Sequence, residues 1–180
     1  MTQLDGIVYA VCEMASIIKM YEADTLSPLG ESIHITGMRY PRDIVACHRD
    51  RQLYVGELSC IWRVSVDDKS SYVKWVTTPL TLPIYKLSLT SHHLLVTSSP
   101  RTLRQYNTTN KRQWRDIPLP YYVVHAYHSV ETVHQTFIVG HKGTFQKKKP
   151  FEVSDLFTFC HMFKYHHVRS SFLACNSKIA

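Results

Sequence analysis

The sequence lacks the short motifs that identify common catalytic and metal-binding sites. It contains no Gly-x-Ser-x-Gly elbow, no Walker loop, no Gly-x-Gly-x-x-Gly, no Cys-x-x-Cys pair and no His-Glu-x-x-His. It has 11 histidines and 5 cysteines, but none of their spacings fixes a ligand geometry. We therefore expect no catalytic residue, no metal site and no cofactor.

Long hydrophobic runs and a secretion signal are also missing. No window reaches the roughly 18 uncharged apolar residues that a membrane helix needs. The N-terminal stretch MTQLDGIVYA carries an acid at Asp5, where a signal peptide has basic residues before an apolar run. The cysteines are odd in number and irregularly spaced, unlike a disulfide framework. These absences predict a soluble protein of a reducing compartment, cytoplasmic with the nucleus as the alternative, and no membrane partner.

Acidic residues are scarce, with 14 against 21 lysines and arginines, which gives a net charge of +7. A basic protein attracts polyanions, so nucleic acid stays open as a partner. The basic residues are nevertheless scattered, and the only run of three is Lys147-Lys148-Lys149. That run is either a nuclear import tag or the place where a repeating fold ends. Because most of the charge is dispersed, we favour a basic protein without a nucleic-acid role.

The sequence does contain an internal repeat, with a period of about 41 to 45 residues. Similar segments begin at Val8, Leu53 and Leu94. In each, an apolar residue follows the second residue of the segment after eight or nine positions, and a basic residue comes next. We interpret these basic side chains as lying between repeats with their charged ends in water, and contact with a phosphate ligand is the alternative. Aligned on Tyr9, Tyr54 and Leu95, the apolar position is Ile18, Trp62 and Leu103, and the basic position is Lys19, Arg63 and Arg104.

Each repeat is predicted to form four short β-strands. In the second repeat these are RDIVACH, QLYVGE, CIWRVSV and YVKWVTT, separated by turn residues. A proline precedes the first strand of three repeats, at Pro41, Pro83 and Pro120. Four strands every 40-odd residues are typical of a β-propeller blade. The aromatic residues are predicted to pack blade against blade rather than to stack nucleic-acid bases; they are Tyr9, Tyr54, Trp62, Trp75 and Trp114.

The stretch PRDIVACHRDRQLYVGELSCIWRVSVDD, from Pro41 to Asp68, resembles a blade of the NHL or YVTN type of β-propeller. That family places a proline and an aliphatic strand before an apolar-Tyr-Val strand and an Ile-rich strand. This chain departs from it at Gly56-Glu57, where the family often has Asp, and at Asp50-Arg51, where it has Gly. The resemblance implies an all-β fold and says little about function. A WD40 assignment fits less well, because no Trp-Asp pair or Gly-His opening recurs in register.

The repeats cover residues 1–149, which is enough for about three and a half blades, whereas propellers have four to eight. We expect an incomplete or small propeller of four-stranded antiparallel blades. The chain is then a shortened part of a larger propeller, which we favour, or a four-bladed ring, or a unit completed by self-association through open blade edges. In TFIVGHKGTFQKKKP, the charges from Lys147 and the proline at Pro150 are incompatible with a buried third strand and mark the end of the fourth blade.

The tail, residues 150–180, departs from the repeat pattern. Leu156, Phe157, Cys160 and Phe163 have the spacing of a helix capped by Ser154. The tail is a helix that packs on the open end, a poorly ordered extension, or a segment of different origin from the repeats, and the sequence does not separate these.

We interpret the protein as a non-catalytic scaffold whose partner is another protein. An RNA-binding propeller of the NHL kind is the alternative, and a propeller enzyme comes third. The candidate contacts for a ligand or partner are arginines in or beside loops, namely Arg39, Arg42, Arg49, Arg51 and Arg101.

Overall fold

The computed structural model of this chain describes residues 1–78, 83–90, 92–98, 102–110, 113–118, 125–131, 136–142 and 171–176. These residues form β-strands joined by turns and contain no helix, so none of them forms a helix that could cross a membrane. The strands make four antiparallel sheets. The first sheet consists of β1 (Thr2–Leu4), β2 (Ile7–Val11), β3 (Ile17–Glu22) and β4 (Pro28–His34). The second consists of β5 (Asp43–Cys47), β6 (Gln52–Gly56), β7 (Cys60–Ser65) and β8 (Tyr72–Thr77).

The third and fourth sheets continue this order. The third consists of β9 (Ile84–Leu89), β10 (His93–Ser98), β11 (Thr102–Asn107) and β12 (Gln113–Pro118). The fourth consists of β13 (His125–Glu131), β14 (Thr136–Lys142) and β15 (Ser171–Asn176). In the first three sheets every strand pairs with the next one along the chain. The first strands of successive sheets contact each other, β1 with β5, β5 with β9 and β9 with β13, so these strands lie innermost.

The second sheet agrees closely with the sequence-based expectation. Its four strands lie within the four predicted segments, each with its end shifted by no more than one residue. β-branched and aromatic residues are frequent in these segments, and in β7 Trp62 and Val64 alternate with Arg63 and Ser65. The prolines mark the entry to the innermost strands as predicted, because Pro41 comes two residues before β5 and Pro83 directly before β9. Pro120 lies outside the described residues.

The predicted column of basic residues is wrong. Residues that oppose each other on neighbouring strands share a face, and Ala10, Val55 and Val96 are opposite Lys19, Trp62 and Arg104, respectively. Trp62 therefore occupies the position of the two basic residues. Arg63 lies on the other face of its sheet, opposite Tyr54. The error arose because the turn between β2 and β3 is two residues longer than the turn between β6 and β7, and the sequence pattern did not show where the extra residues belong.

The hydrophobic core lies between the sheets rather than within any one of them. The faces of the first and second sheets meet in one cluster, which includes Tyr9, Ile18, Leu53 and Trp62. The second and third sheets meet in another, in which the Trp75 ring packs edge-on against Tyr54 and Tyr106 at centroid distances of 5.1 and 6.0 Å. Four of the five aromatic residues predicted to pack between repeats do so. The side chain of Trp114 lies outside the described part.

The fourth sheet takes its third strand from the C-terminal segment. β14 pairs with β13 and, on its other edge, with β15, where Phe137 is opposite Cys175 and Val139 is opposite Leu173. Residues 171–176 are therefore extended, although they lie in the segment that was expected to diverge from the repeats. The helix expected near Ser154 and the run Lys147-Lys148-Lys149 lie outside the described residues.

Candidate functional site

The antiparallel order of strands gives the second sheet and its neighbours two opposite rims. We call one the connector rim; it contains the β2–β3 turn (residues 12–16), the β4–β5 connector (residues 35–42) and the β6–β7 turn (residues 57–59). We call the other the hairpin rim; it contains residues 5–6, 48–51 and 66–71, together with residues 90 and 92. The five-residue strand β5 joins the two, so they lie about 16 Å apart at roughly 3.3 Å per residue.

The connector is an irregular segment whose backbone is bonded along most of its length. The Ile35 N–H donates to the Ser16 carbonyl at 2.9 Å, and the Ser16 hydroxyl donates to the Met38 carbonyl at 2.5 Å. The Thr36 N–H donates to the Tyr72 hydroxyl at 3.2 Å, and the Arg42 N–H donates to the Gly56 carbonyl at 2.7 Å. Since buried or constrained backbone groups need partners, these bonds define the path of the connector over the second sheet.

Trp62 supports the middle of the connector. Gly37 has a φ of +91°, which favours glycine, and a Cβ there would meet the Trp62 ring at 3.6 Å. The same ring packs edge-on against Tyr72 at 6.2 Å, and the Lys74 ammonium lies 5.2 Å from its centroid. The connector therefore rests on an aromatic side chain that is itself fixed from two sides.

Glu57 ties the rest of the connector to the second sheet. Its side chain is buried, with 8% of the residue exposed. One carboxylate oxygen accepts from the backbone N–H groups of Arg39 and Tyr40 at 2.6 and 3.0 Å. The other accepts from Trp62 Nε1 at 2.9 Å and from the Cys60 thiol at 3.0 Å. Four donors thus converge on one carboxylate, which satisfies a buried charge that would otherwise be costly.

The charge state of this cluster follows from its hydrogen bonds. Burial acts to raise the pKa of the Glu57 carboxyl, but the bonds from Trp62, Cys60 and the backbone of Tyr40 and Arg39 outweigh it and hold that pKa below its ordinary value. Burial, followed by the bond to Glu57, raises the pKa of the Cys60 thiol to about 12. At neutral pH the cluster is therefore a carboxylate with a neutral thiol, which makes Cys60 a hydrogen-bond donor and a poor nucleophile.

The side chains that the connector rim exposes differ in character from this buried support. Met14, at the tip of the β2–β3 turn, has a φ of +68° and is 76% exposed. Tyr40 is 48% exposed, and Arg39 is exposed beside it. Arg42 and Glu13 make a loose ion pair at 4.0 Å that links the connector to the β2–β3 turn. We call these five side chains the connector-rim surface.

Comparison with solved structures identifies the architecture. The chain is similar to the structure of U3-55K and to the crystal structure of the RRP9 WD40 repeats, each with a TM-score of 0.61 and 11% sequence identity over 76% of this chain. The fold is that of a β-propeller. Neither a protein-family model nor a curated protein sequence matches the chain. The chain spans 42% of the length of each of these solved chains.

The predicted propeller architecture is confirmed, with three four-stranded antiparallel sheets as blades. At 11% identity the likeness shows the fold alone, so the NHL or YVTN type of repeat stays a prediction. The structure describes the residues at two positions where the chain departs from that type. Arg51 has a φ of +49° in the turn where the NHL or YVTN repeat has Gly. Glu57, at one of the two positions where that repeat often has Asp, is the buried carboxylate of the connector rim.

The propeller places the predicted ligand-binding arginines on opposite rims. Arg39 and Arg42 lie on the connector rim, whereas Arg49 and Arg51 lie on the hairpin rim. Arg101 lies outside the described residues. The four described arginines therefore do not form one surface, and a ligand that contacts Arg39 and Arg42 does not reach the other two without spanning β5.

The hairpin-rim arginines join neighbouring propeller blades. Arg51 forms ion pairs with Asp5 of the first sheet and, at 2.6 Å, with Asp67. The Arg49 guanidinium binds Asp50 at 2.7 Å. It also contacts His92 Nδ1 of the third sheet at 2.7 Å. Because an arginine only donates, His92 accepts at Nδ1 in this arrangement. The ends of three successive blades are linked in this way.

Cysteines and metal ligands add no second site in the described ranges. Cys47 and Cys60 are buried, whereas Cys12 is exposed on the connector rim. No group of three or more His, Cys, Asp and Glu side chains there is arranged to hold a metal ion.

Sequence reasoning missed three residues of this region. Glu57 was noticed only as a departure from the repeat pattern, and that departure was the usable signal. Tyr40 and Met14 gave weaker signals, since an aromatic residue before Pro41 and a methionine between two β-rich segments are large apolar residues where polar ones are usual.

Proposed function

We propose that this protein is a non-catalytic propeller scaffold that binds a protein partner through the connector-rim surface. A propeller places its loops on a rigid frame, and binding residues are commonly carried by loops held in this way. Tyrosine, methionine and arginine, which this surface exposes, are enriched at protein interfaces. The proposal includes a cytoplasmic or nuclear location and a division of the chain into repeats, residues 1–149, and a distinct tail, residues 150–180.

The observation that carries the proposal is the contrast between fixed backbone and exposed side chains at Arg39 and Tyr40. Their N–H groups are held by buried Glu57 at 2.6 and 3.0 Å, while their side chains lie at the surface. A surface whose backbone is ordered before binding loses less entropy when a partner docks. This arrangement supports binding better than it supports catalysis, for which a nucleophile and a base would have to lie together.

Site-specific crosslinking tests the proposal. A photoreactive benzoyl-phenylalanine replaces Tyr40 in the full-length chain, and irradiation in cells should link it to a discrete set of proteins. The matched control carries the same residue in place of Val73, which is 39% exposed on the outer strand β8. Crosslinks that are absent at position 40, or identical at both positions, would refute the connector rim as the interface.

RNA binding is a second candidate, supported by the net charge of +7 and by Arg39 and Arg42 on one rim. A titration with single-stranded RNA at two salt concentrations tests it, because phosphate contacts make affinity fall steeply with salt. An NHL-type binder should keep sequence preference as salt rises. Weak, sequence-blind binding that disappears at higher salt would reflect net charge only.

A second copy of this chain is the remaining partner that we propose. The outer face of the first sheet, on the side away from the second sheet, exposes Gln3 and Lys19 and leaves Val8, Ala10 and Tyr21 half-exposed. The corresponding face of the second sheet is covered by the first sheet, and that of the third sheet is covered by the second. Light scattering over a range of protein concentrations measures whether copies associate, and a constant monomer mass would rule it out.

A further inference from the structure

We infer that the connector-rim surface takes a short acidic segment of a partner protein, in which a carboxylate stands next to a large apolar side chain. This inference rests on the proposed function and specifies its partner. It depends on two observations about the five side chains of that surface. One concerns their charge and the other their apolar area.

The charge of the surface is positive and incompletely neutralised. The Arg42 guanidinium and the Glu13 carboxylate are 4.0 Å apart, and 38% of the Arg42 side chain and 67% of the Glu13 side chain are exposed. Arg39 has no ion-pair partner among the described residues. An arginine fork matches a carboxylate in a two-bond geometry. The surface therefore offers the guanidinium of Arg39, which has no ion-pair partner in the described part of the chain. It also offers the guanidinium of Arg42, which can leave its loose pair with Glu13 to bind a carboxylate of the partner.

The apolar part of the surface is held in place for contact. Met14 has a positive φ, which is uncommon outside glycine, and the bond from the Ala15 N–H to the Cys12 carbonyl at 3.2 Å closes that turn. The N–H of Tyr40 itself donates to Glu57, and Pro41, which comes next, limits the backbone of Tyr40 further. Methionine adapts to irregular partners, and tyrosine offers a rigid amphipathic face. An aliphatic or aromatic side chain is the complement to both.

A peptide fits this surface better than RNA does. Nucleic-acid binding draws its affinity from several phosphate contacts at once, whereas the described part of the connector rim provides two guanidinium groups with Glu13 beside one of them. The hairpin rim has carboxylates at Asp5, Asp50 and Asp67 that already pair with its arginines. On the described parts of the two rims, a long polyanion would therefore meet few unpaired cations beyond the connector-rim surface.

Fluorescence anisotropy with defined probes tests the inference on the full-length chain. The first probe is a labelled peptide in which Glu alternates with Leu and Phe between Ser and Gly spacers. The second replaces each Glu by Gln, the third replaces each Leu and Phe by Ala, and the fourth is oligouridine. We expect saturable binding of the first probe, and binding of the second and third that is weaker by about tenfold or more, as expected for loss of a main contact.

Matched variants locate the binding. Arg39→Gln and Tyr40→Ala should each weaken binding of the first probe by about tenfold, and both keep the N–H groups that bond to Glu57. Arg39→Lys, which keeps the charge and loses the fork, should fall between them and the wild type. Arg51→Gln on the hairpin rim is the control and should bind like the wild type. Tryptophan fluorescence of each variant checks that the fold is retained.

Several outcomes would overturn the inference. Equal binding of the Glu and Gln probes, preference for oligouridine, absence of binding to the first probe, or equal affinity of Arg39→Gln and Arg51→Gln would each do so. If the crosslink at position 40 still captures proteins in any of these cases, the connector rim remains an interface and only its chemical preference is wrong. If that crosslink also fails, the proposed function fails with it.

Discussion

Glu57→Gln is the substitution that most directly tests how the connector is held. The carboxylate accepts two N–H groups at one oxygen, and an indole N–H and a thiol at the other. A glutamine has one oxygen and one NH₂ group, so in either orientation its NH₂ faces two donors. Either the N–H groups of Arg39 and Tyr40 or the Trp62 and Cys60 donors are then left without an acceptor.

The expected loss of stability follows from that count. A buried donor without a partner costs about 1 to 3 kcal/mol, and the chain also loses bonds strengthened by the negative charge. Structural relaxation and water recover part of this cost. We therefore expect Glu57→Gln to lower the free energy of unfolding by about 2 to 4 kcal/mol.

The pH dependence supplies an independent measurement. The pKa of Glu57 is lowered in the folded protein, so its contribution is fully present above the unfolded-state value near 4.3 and is lost as pH falls through the folded-state value. The wild type should therefore lose stability relative to Glu57→Gln below about pH 4.3. The gap between the two proteins should be constant from pH 6 to 7 and narrow in acid.

Urea unfolding followed by tryptophan fluorescence gives both quantities. Glu13→Gln is the matched control, because Glu13 is an exposed acid on the same rim whose ion pair with Arg42 spans 4.0 Å; we expect it to change stability by less than about 0.5 kcal/mol. Equal stability of Glu57→Gln and Glu13→Gln, or a gap that does not narrow in acid, would refute the reasoning.

Three further substitutions test the contacts between blades. Gly56→Ala places a Cβ 3.1 Å from Ile84 across the interface between the second and third sheets and should cost about 1 to 3 kcal/mol in urea unfolding; an unchanged midpoint would mean that the sheets separate easily. Asp43→Asn weakens the acceptor of the Leu87 N–H, now bonded at 2.8 Å, so hydrogen exchange at that amide should accelerate while amides of the first sheet keep their rates. Arg51→Gln removes two exposed ion pairs and should cost less than about 1 kcal/mol, a cost that shrinks further as salt is added; a larger, salt-independent loss would contradict the exposed placement.

The second sheet was predictable from the sequence, and its neighbours were predictable in part. In β7 of the second sheet, apolar and polar residues alternate regularly, so Trp62 and Val64 indicate their own strand. The first sheet was harder, because β1 has only three residues, too few for a periodic pattern to be recognised. The alignment of Lys19 with Trp62 was missed for a related reason, since an unequal turn length is invisible without the pairing of the strands.

The connector rim was not predictable, because its order depends on contacts between distant residues. Glu57 acts on backbone groups 17 and 18 positions earlier in the chain, and no local pattern encodes that distance. Its side chain also looks ordinary in the sequence, since most glutamates lie in water. The loop arginines were predicted as ligand contacts from their charge and position alone. These two properties do not distinguish Arg51, which pairs with two acids, from Arg39, which has no ion-pair partner in the described part of the chain.

The groups that determine the shape of the connector are separate from the side chains that we propose to contact a partner. Its path depends on main-chain bonds, a glycine and a buried glutamate, and none of these needs the side chains of Arg39 or Tyr40. Changes at these two positions can therefore alter what the rim binds while the loop keeps its conformation. For evolution this makes recognition free to diverge among related chains at little risk to folding. For protein engineering it makes these positions suitable for randomisation, with Glu57, Gly37 and Trp62 kept constant.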